Sequence, residues 1–484
     1  MSGTTLNKSR TNYLSTGSSR EPIWTQVSGD PSEDSNNTAS HPPPRLTNSE
    51  NETSNGNAAH DGEGINFNHI GINTATAAVF IAGEMAGSGV LALPRALVDS
   101  GWIGPVLLIV LCLVACYGGT RLGACWTLLE ERYPETYPKH LRTRNPYACI
   151  AHRALGNWGS RIVSGSIQIT LFGAGTVYLI LASELLNDLT KYLLPFGPCS
   201  WVVILAAFLL PAMWLGSPKD FWGVAVGALL TTAFSCLLMF TQMVIDGLQL
   251  DYHKDTKPHS FSKFFMAYGT IVFSFGGAST FPTIQNDMVD RSKFPTSVSV
   301  GFFLILILYL PVAIGGMLIY GEAANPNIAL TLGDSWLMDA ANLLMACHLI
   351  LAFLIVTNPV SQELEHIMNV PHEFGRQRLW LRSGLMLGMV FMAESIPQFG
   401  KILSLVGGST VTLLTFVLPP LCYMKLCDQV GPWPQAPPIS LHERVFMYEM
   451  ICLGVLGGSV ASYNALLSIF SPNSFSRPCY FNWW

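Results

Sequence analysis

Long apolar windows separated by short polar segments run along the chain from about residue 72 to residue 470. A bilayer core about 30 Å thick needs roughly 20 apolar residues in a helix. On that criterion the pattern predicts eleven spans, at residues 72–95, 102–125, 161–186, 200–216, 221–245, 265–284, 298–320, 336–358, 380–397, 402–423 and 447–470. The chain is therefore predicted to be an all-α polytopic membrane protein.

The composition agrees with that interpretation and separates a polar amino-terminal segment from the rest. Half of the residues are hydrophobic and only 12% are charged, whereas soluble domains carry about 25% charged residues. Residues 1–66 are rich in Ser, Thr, Asn, Gly and Pro, and such a segment buries too little apolar surface to offset the entropy of ordering. We predict a disordered tail at residues 1–66 and a transmembrane domain at residues 67–484.

The distribution of Lys and Arg predicts the orientation. If the amino terminus is inside, the inner segments hold Lys and Arg in excess over the outer segments by about two to one, even when the tail is left out. We therefore expect a cytosolic amino terminus and an extracellular or luminal carboxyl terminus. In this topology Cys199 and Cys479 both lie outside, and the sequence leaves open whether they pair.

Several classes of function find no support in these patterns. The net charge of −5 and the lack of a basic patch with interleaved aromatic residues argue against nucleic-acid binding. The 11 cysteines are scattered without metal-ligand spacing, so no metal is expected. Clustered catalytic residues inside the spans, as a membrane-embedded enzyme would need, are missing from the pattern, and we expect no enzyme activity. A channel is disfavoured because no acidic ring or carbonyl filter repeat is visible.

Two predicted spans are interrupted by glycines. The first contains "GEMAGSGVLALP", with Gly83, Gly87 and Gly89 in mid-span, and the sixth contains "FSFGGASTFP", with Gly276 and Gly277. Unwound backbone in lipid survives only against protein or a water-lined cavity. Interrupted helices at corresponding positions in two halves are typical of a transporter with a mid-membrane site. The spacing predicts a five-plus-five inverted repeat with broken helices 1 and 6 and one extra helix; close packing through small residues is the alternative.

The first break predicts a particular chemistry. The half-helix that begins after Gly87 offers free amides and a positive dipole end, which suit a carboxylate. The carbonyls that end the preceding half-helix suit an ammonium group or a cation. A site with both polarities fits a zwitterion, so the predicted substrate is an α-amino acid.

Four stretches resemble the amino acid/auxin permease family, whose members share the LeuT-like five-plus-five inverted-repeat fold. "GEMAGSGVLALP" is similar to the signature of the family's first helix, and "FSFGGASTFPTIQNDM" to that of its sixth. "YACIAHRALG" resembles its second inner-loop motif, and "SIPQFGKILSLVGGSTVTLLTFVLPPLCYMKL" resembles its ninth and tenth spans. The resemblance covers about residues 68–470.

The resemblance implies secondary transport of amino acids, usually coupled to protons and in a few branches to sodium. It implies that the substrate carboxylate is held by Gly87, Ser88 and Gly89. It implies an opposing wall and a nearby tyrosine, formed by Phe275, Gly276, Gly277, Ala278 and Tyr178. A sodium-coupled branch has asparagine four residues before the first glycine of the first signature. Gly83 stands there in this chain, which favours protons over sodium.

Three ionisable residues inside the spans are candidates for proton coupling. Glu84 lies three residues before Gly87, where an ionised carboxylate is expensive unless it is paired or lines water; its alternative role is structural. Glu394 lies near the end of its span, where a boundary residue is the plainer interpretation. His348 is a possible proton relay, although a lone histidine inside a membrane is more often a hydrogen-bonded packing residue.

The favoured function is proton-coupled transport of neutral amino acids by alternating access, without a cofactor other than the proton gradient. The alternatives are an amino-acid-sensing receptor built on a transporter fold and a sodium-coupled or vesicular or lysosomal carrier. The sequence leaves the plasma membrane and endolysosomal or vesicular membranes open, and it leaves the identity of the amino acid and the oligomeric state undetermined.

Overall fold

The computed structural model describes residues 71–138, 143–215, 221–249, 260–371, 375–433, 435–436, 438–471 and 479. The chain divides into two units, Met1–Phe67 and Asn68–Trp484. The tail predicted at residues 1–66 lies outside the described residues, and all the helices described below belong to the second unit.

The described part of the second unit is almost entirely helical. Its α-helices are, in chain order, α1 (Thr74–Met85), α2 (Ser88–Ser100), α3 (Gly104–Arg132), α4 (Pro146–Thr190), α5 (Pro198–Leu215), α6 (Phe221–Gln249), α7 (Phe261–Ser274), α8 (Phe281–Asn286), α9 (Phe294–Tyr320), α10 (Trp336–Ile367), α11 (Arg376–Ser395), α12 (Phe399–Val406), α13 (Leu418–Cys427) and α14 (Leu441–Phe470). Two π-helical segments, Gly407–Val411 and Leu413–Val417, join α12 to α13. The predicted all-α class is confirmed.

Each of the eleven predicted spans coincides with a helix or with consecutive helical segments. Within the described residues, seven helical stretches are long and apolar enough to cross a membrane, and Thr74–Met85 and Pro198–Trp214 are shorter apolar helices. The first and sixth predicted spans are each divided in two, as α1 with α2 and α7 with α8. The predicted interruptions of both spans are therefore present, whereas the inverted repeat stays a prediction.

The segment between the second and third predicted spans is more helical than the hydropathy indicates. α3 continues to Arg132 and α4 begins at Pro146, so the stretch "YACIAHRALG" is the first part of α4 and not a loop. Gly156 ends that part with a φ of 76°, which is left-handed backbone that favours glycine. At ten residues this stretch is too short to be found by a search for apolar windows of about 20 residues.

The helices pack around one large apolar core, and many outward-facing side chains are apolar as well. Ile81, Leu91 and Phe416 are among the fully buried core residues, whereas Leu113 on α3 and Leu456 on α14 are more than 60% exposed. Exposed apolar side chains on helices this hydrophobic are suited to lipid, because they expose no unpaired polar group to the hydrocarbon.

We call the end of the bundle with the start of α4 and the end of α10 the inner end, because the charge pattern predicts it to be cytosolic. Buried ion pairs hold it together. Arg382 of α11 donates to Glu365 of α10 at 2.6 Å and to the carbonyl oxygen of Met213 at 2.5 Å. Arg291 pairs with the buried Glu130 of α3. These contacts join the ends of α3, α5 and α10 to the first half of α11 and to the segment that follows α8.

The opposite, outer end carries a disulfide and exposed polar contacts. Cys199, at the start of α5, is bonded to Cys479 with a Cα–Cα distance of 5.6 Å, so the structure pairs the two cysteines that the topology predicts to lie on one side. Lys191, just after α4, bonds Asp334 at 2.7 Å, and this bond lowers the pKa of Asp334 below its ordinary value. The disulfide ties Cys479 to the start of α5, and the Lys191–Asp334 contact ties the end of α4 to the segment before α10.

A close contact between glycines joins α7 to the first π-helical segment. A Cβ on Gly407 would overlap the carbonyl oxygen of Gly269, and it would lie 2.8 Å from Cβ of Phe273. The Ser404 hydroxyl, one turn earlier, donates to the carbonyl oxygen of Met266 at 2.8 Å. Small residues permit this approach of two backbones, which is a common way to pack helices in membranes.

We predict that Gly407→Ala lowers the thermal midpoint of the purified protein in detergent, because the added methyl group overlaps the α7 backbone and overpacking costs about 1–3 kcal/mol. Gly384→Ala on α11 is the matched control, since nothing lies within 4 Å of a Cβ at that exposed position. Equal midpoints for the two variants would contradict the proposed contact.

Candidate functional site

The two broken helices touch each other at their interruptions. α1 ends at Met85, Ala86 is extended with ψ 103°, and α2 begins at Ser88 with Gly87 as its N-cap. α7 ends at Ser274, and non-helical backbone follows as far as α8. A Cβ on Gly89 would lie 2.8 Å from Cα of Ser274, so the glycine lets the two interruptions meet.

A cavity of about 430 Å³ extends from the interruption of the first span toward the inner end. Side chains of α1, α4, α6 and α10 and the segment before α8 line it. A second cavity of about 30 Å³ lies between the two interruptions. Its lining includes Ser88 and Gly89 from α2, Ser274 and Gly276 from the sixth span, and Tyr178 from α4. The larger volume lies in the range of small-molecule sites, which are about 300–1,000 Å³.

The start of α2 is surrounded by polar atoms from two other helices. The amides of a first helical turn have no partner within their own helix, and the positive end of the helix dipole lies there. A Cβ on Gly87 would lie 3.5 Å from the hydroxyl of Tyr178 and 3.1 Å from Nε2 of His348. The structure thus brings Gly87, Ser88, Gly89 and Tyr178 together with His348.

Glu84 occupies the last turn of α1, on the other side of the break. Its side chain is half-buried and lines both cavities. Among the described residues it has no ion pair with Lys or Arg. The carboxyl group is therefore available to a solute or to water in the cavity.

One carbonyl oxygen at the end of α1 already has a partner. The hydroxyl of Tyr309, on α9, donates to the carbonyl oxygen of Met85 at 2.6 Å in a buried contact. The sequence analysis missed Tyr309, because nothing in an apolar span distinguishes a tyrosine that packs from one that caps a broken helix. The acceptors left for a positively charged group are the neighbouring α1 carbonyls and Glu84.

Of the four residues predicted to form a wall from the sixth span, only Gly276 lines either cavity. Phe275 is fully buried, with its ring centroid 6.3 Å from that of Phe302 and 6.0 Å from that of Tyr309, both on α9, and it lines neither cavity. Gly277 and Ala278 also lie outside both linings. Gly276 does line the smaller cavity, together with Phe273. Because α7 ends at Ser274, the backbone leaves the helix at Phe275, and the side chain of Phe275 packs against α9. The sequence motif does not reveal this direction.

Glu394 lies away from both cavities. A carboxylate oxygen of Glu394 lies within 4.8 Å of the sulfur atoms of Cys199 and Cys479. Because those two cysteines are bonded to each other, their sulfurs are not thiolate ligands, and this group is no candidate metal centre. The structure places Glu394 at the outer end, whereas the sequence analysis considered it for proton coupling.

Polar residues at the inner mouth of the larger cavity were missed by the sequence analysis. Arg144 and Asn145, before α4, face Gln362 and Glu363 on α10, and all four line the cavity. Arg144 donates to the carbonyl oxygen of Gln362 at 3.3 Å and lies 3.8 Å from the Glu363 carboxylate. The sequence placed Arg144 in a loop and offered no signal that it would meet α10.

Gln285, which lies within the sixth-span motif, contributes to the packing of the inner end. It is fully buried and donates to the carbonyl oxygens of Gly123 at 3.0 Å and Arg291 at 3.2 Å. Its neighbour Asp287 accepts a backbone hydrogen bond from Ile72 at 3.0 Å. These contacts anchor the end of the sixth span to α3 and to the start of the first span.

Comparisons with known proteins agree with this arrangement. Residues 71–467 match the family model described as transmembrane amino acid transporter protein. The chain is 23% identical to amino acid transporter AVT1B of Arabidopsis thaliana over 80% of this chain and 69% of that protein. It is 26% identical to AVT3C of the same plant over 81% of this chain and 90% of that protein.

Solved structures with a similar fold include two variants of a manganese transporter from Eremococcus coleocola. They superpose with TM-scores of 0.51 and 0.52 at 13% and 12% identity, over 85% of this chain and 90% of theirs. At this identity the likeness shows the fold alone. The two interrupted spans and the family match over residues 71–467 lead to one conclusion: the chain belongs to the transmembrane amino acid transporter family, the amino acid/auxin permeases.

Proposed function

We propose that this protein is a secondary active transporter that moves neutral amino acids across its membrane by alternating access, coupled to protons. The observation that carries the proposal is the interruption between α1 and α2. It places the first-turn amides of α2 and the Glu84 carboxylate beside the smaller cavity, which Glu84, Ser88 and Gly89 line. A solute with one negative and one positive group satisfies both.

The carboxylate of the amino acid would bind at the start of α2. Ser88, Gly89 and Tyr178 line the smaller cavity there, and the two amides and the hydroxyl are hydrogen-bond donors. The ammonium group would bind Glu84 and the free carbonyls at the end of α1, because ionised partners make the stronger hydrogen bonds. The side chain would extend into the 430 Å³ cavity, which is large enough for substantial neutral side chains.

Contacts at the two ends of the bundle support the proposal of alternating access. The larger cavity reaches the inner mouth at Arg144 and Glu363. At the outer end Arg95 of α2 donates to the carbonyl oxygens of Glu322 at 3.0 Å and Ala324 at 3.1 Å. This arrangement corresponds to a state open toward the inner side, and we infer that opening outward would break the Arg95 contacts and close the inner mouth.

The function is tested with the full-length protein in liposomes, by uptake of a panel of radiolabelled amino acids at several pH values, with and without sodium. Accumulation of neutral amino acids driven by an acid outer solution, independent of sodium, is the expected result. Binding without accumulation would instead support a sensor, and sodium-dependent uptake would overturn the proton coupling.

We predict that Gly87→Leu reduces uptake on the order of 100-fold, because its side chain would occupy the space beside His348 Nε2 and Tyr178 and displace the substrate. Gly87 has φ −175° and ψ −134°, so the folding of the variant is checked by its thermal midpoint before uptake is compared. Gly165→Leu on α4 is the control, because nothing lies within 4 Å of a Cβ at that exposed position. Uptake by Gly87→Leu at the rate of the control would remove the site from the start of α2.

For Glu84→Gln we predict a KM raised about tenfold or more, because a charge-assisted hydrogen bond to the ammonium group contributes about 1.5–3 kcal/mol. The exposed Glu131 on α3 supplies the matched control, Glu131→Gln, whose KM should stay at the unmodified value. Initial rates of uptake at a series of substrate concentrations give both values. An unchanged KM in Glu84→Gln would exclude Glu84 from substrate binding.

A further inference from the structure

His348 is a fully buried residue of α10 whose ring is fixed in one orientation. Its Nδ1 lies 3.1 Å from the carbonyl oxygen of Ala228 on α6. A carbonyl oxygen only accepts hydrogen bonds, so Nδ1 carries the hydrogen. In the neutral ring Nε2 is therefore a lone-pair acceptor.

Nε2 of His348 is buried and has no hydrogen-bond partner. It is also the atom nearest to the position of a Cβ on Gly87, at 3.1 Å, and His348 lines the larger cavity. Buried polar atoms are nearly always paired, and an orphan among them calls for an explanation. This orphan is aimed at the interruption of the first span.

The location of Nε2 decides which group it can meet. The carboxylate of the substrate is proposed to bind at the start of α2, beside Gly87. A neutral Nε2 would present its lone pair to carboxylate oxygens and repel them, whereas a protonated Nε2 would donate to them. Without a carboxylate, a charged ring beside the positive end of α2 is disfavoured. Protonation of Nε2 and binding of the carboxylate beside Gly87 therefore favour each other.

We propose that His348 is the residue that couples proton binding to substrate binding, a role that rests on the proposed function. Nε2 takes one proton from water in the cavity as the carboxylate binds, and the imidazolium then donates through Nε2 to the carboxylate and through Nδ1 to Ala228. When the substrate leaves, Nε2 returns the proton to water and the ring is neutral again.

The other titratable groups around the cavity are consistent with the uptake of a single proton by His348. Among the described residues, the larger cavity is shared by Glu84 on α1, Tyr178 and Tyr147 on α4, Arg144 before α4 and Glu363 on α10, while α6 contributes the Ala228 carbonyl. Arg144 and Glu363 lie 3.8 Å apart at the inner mouth and offset each other. A zwitterion adds no net charge, so one proton on His348 balances the Glu84 carboxylate in the loaded site.

The experiment compares the unmodified protein with His348→Gln, in which an amide can donate to the carboxylate but cannot take up a proton. His366→Gln is the matched control, because His366 is an exposed histidine near the end of the same helix. Counterflow at equal pH on both sides measures substrate exchange without a proton gradient. Its dependence on pH measures the coupling, and a pH indicator in weak buffer counts the protons taken up on binding.

We expect the apparent affinity of the unmodified protein and of His366→Gln to fall about tenfold per pH unit on the alkaline side, since binding takes up one proton. His348→Gln should keep measurable counterflow, weakened about tenfold, with no dependence on pH and no proton uptake. Accumulation driven by a pH gradient should also be lost in His348→Gln. His348→Asn, which keeps the contact with Ala228, serves as a second variant. It should show the same loss of pH dependence and of proton uptake.

A pH dependence that persists in both His348 variants would overturn the assignment, as would an unmodified protein that exchanges amino acids without any dependence on pH. In the first case the proposed proton-coupled transport would stand, and in the second case amino acid transport would stand without its coupling to protons. Absence of counterflow in the unmodified protein with every amino acid tested would overturn the transport function and this role with it. Failure of both variants to fold, while His366→Gln folds, would make the ring structural and overturn the coupling role.

Discussion

Every backbone amide and carbonyl inside a membrane needs a partner, and the organisation of this protein depends on that constraint. An unbroken helix satisfies it alone. The first and sixth spans do not, because α1 and α7 end in mid-span and leave polar main-chain groups in the middle of the bundle. Those groups are tolerated because they meet protein, a cavity or each other.

The packing shows how the constraint is met without closing the site. Tyr309 supplies one hydrogen bond to the end of α1, and the missing side chain of Gly89 lets α2 lie against Ser274. On the far side of α7, the missing side chains of Gly269 and Gly407 let the first π-helical segment lie in contact with α7. Tyr147 of α4 donates at 2.6 Å to the Leu414 carbonyl within the second π-helical segment. The scaffold thus supplies partners to several of these backbone groups, and in the proposed function the start of α2 receives the ligand.

The polar groups around the start of α2 differ in character from one side to the next. Donors lie at the start of α2, Glu84 lies at the end of α1, and the unpartnered Nε2 of His348 lies on the third side. Buried charge is costly in a medium of low dielectric constant unless it is balanced. The cavity therefore favours combinations of solute and proton that bring its charge close to zero, which is the physical basis for linking transport to protons in the proposed mechanism.

The sequence by itself determined the spans, the two interruptions and the family, because apolar length, mid-span glycines and short motifs are local properties that a chain displays without folding. It also singled out Glu84, Tyr178 and His348 as residues of interest. It could not show that Phe275 turns toward α9, that Glu394 lies beside a disulfide, or that Arg144 meets α10. Those facts depend on how distant helices are rotated and placed against one another. Only the tertiary structure decided that the His348 ring is held by Ala228 and aimed at Gly87, because that geometry joins three helices far apart in the chain and no local pattern encodes the direction of a side chain across a break.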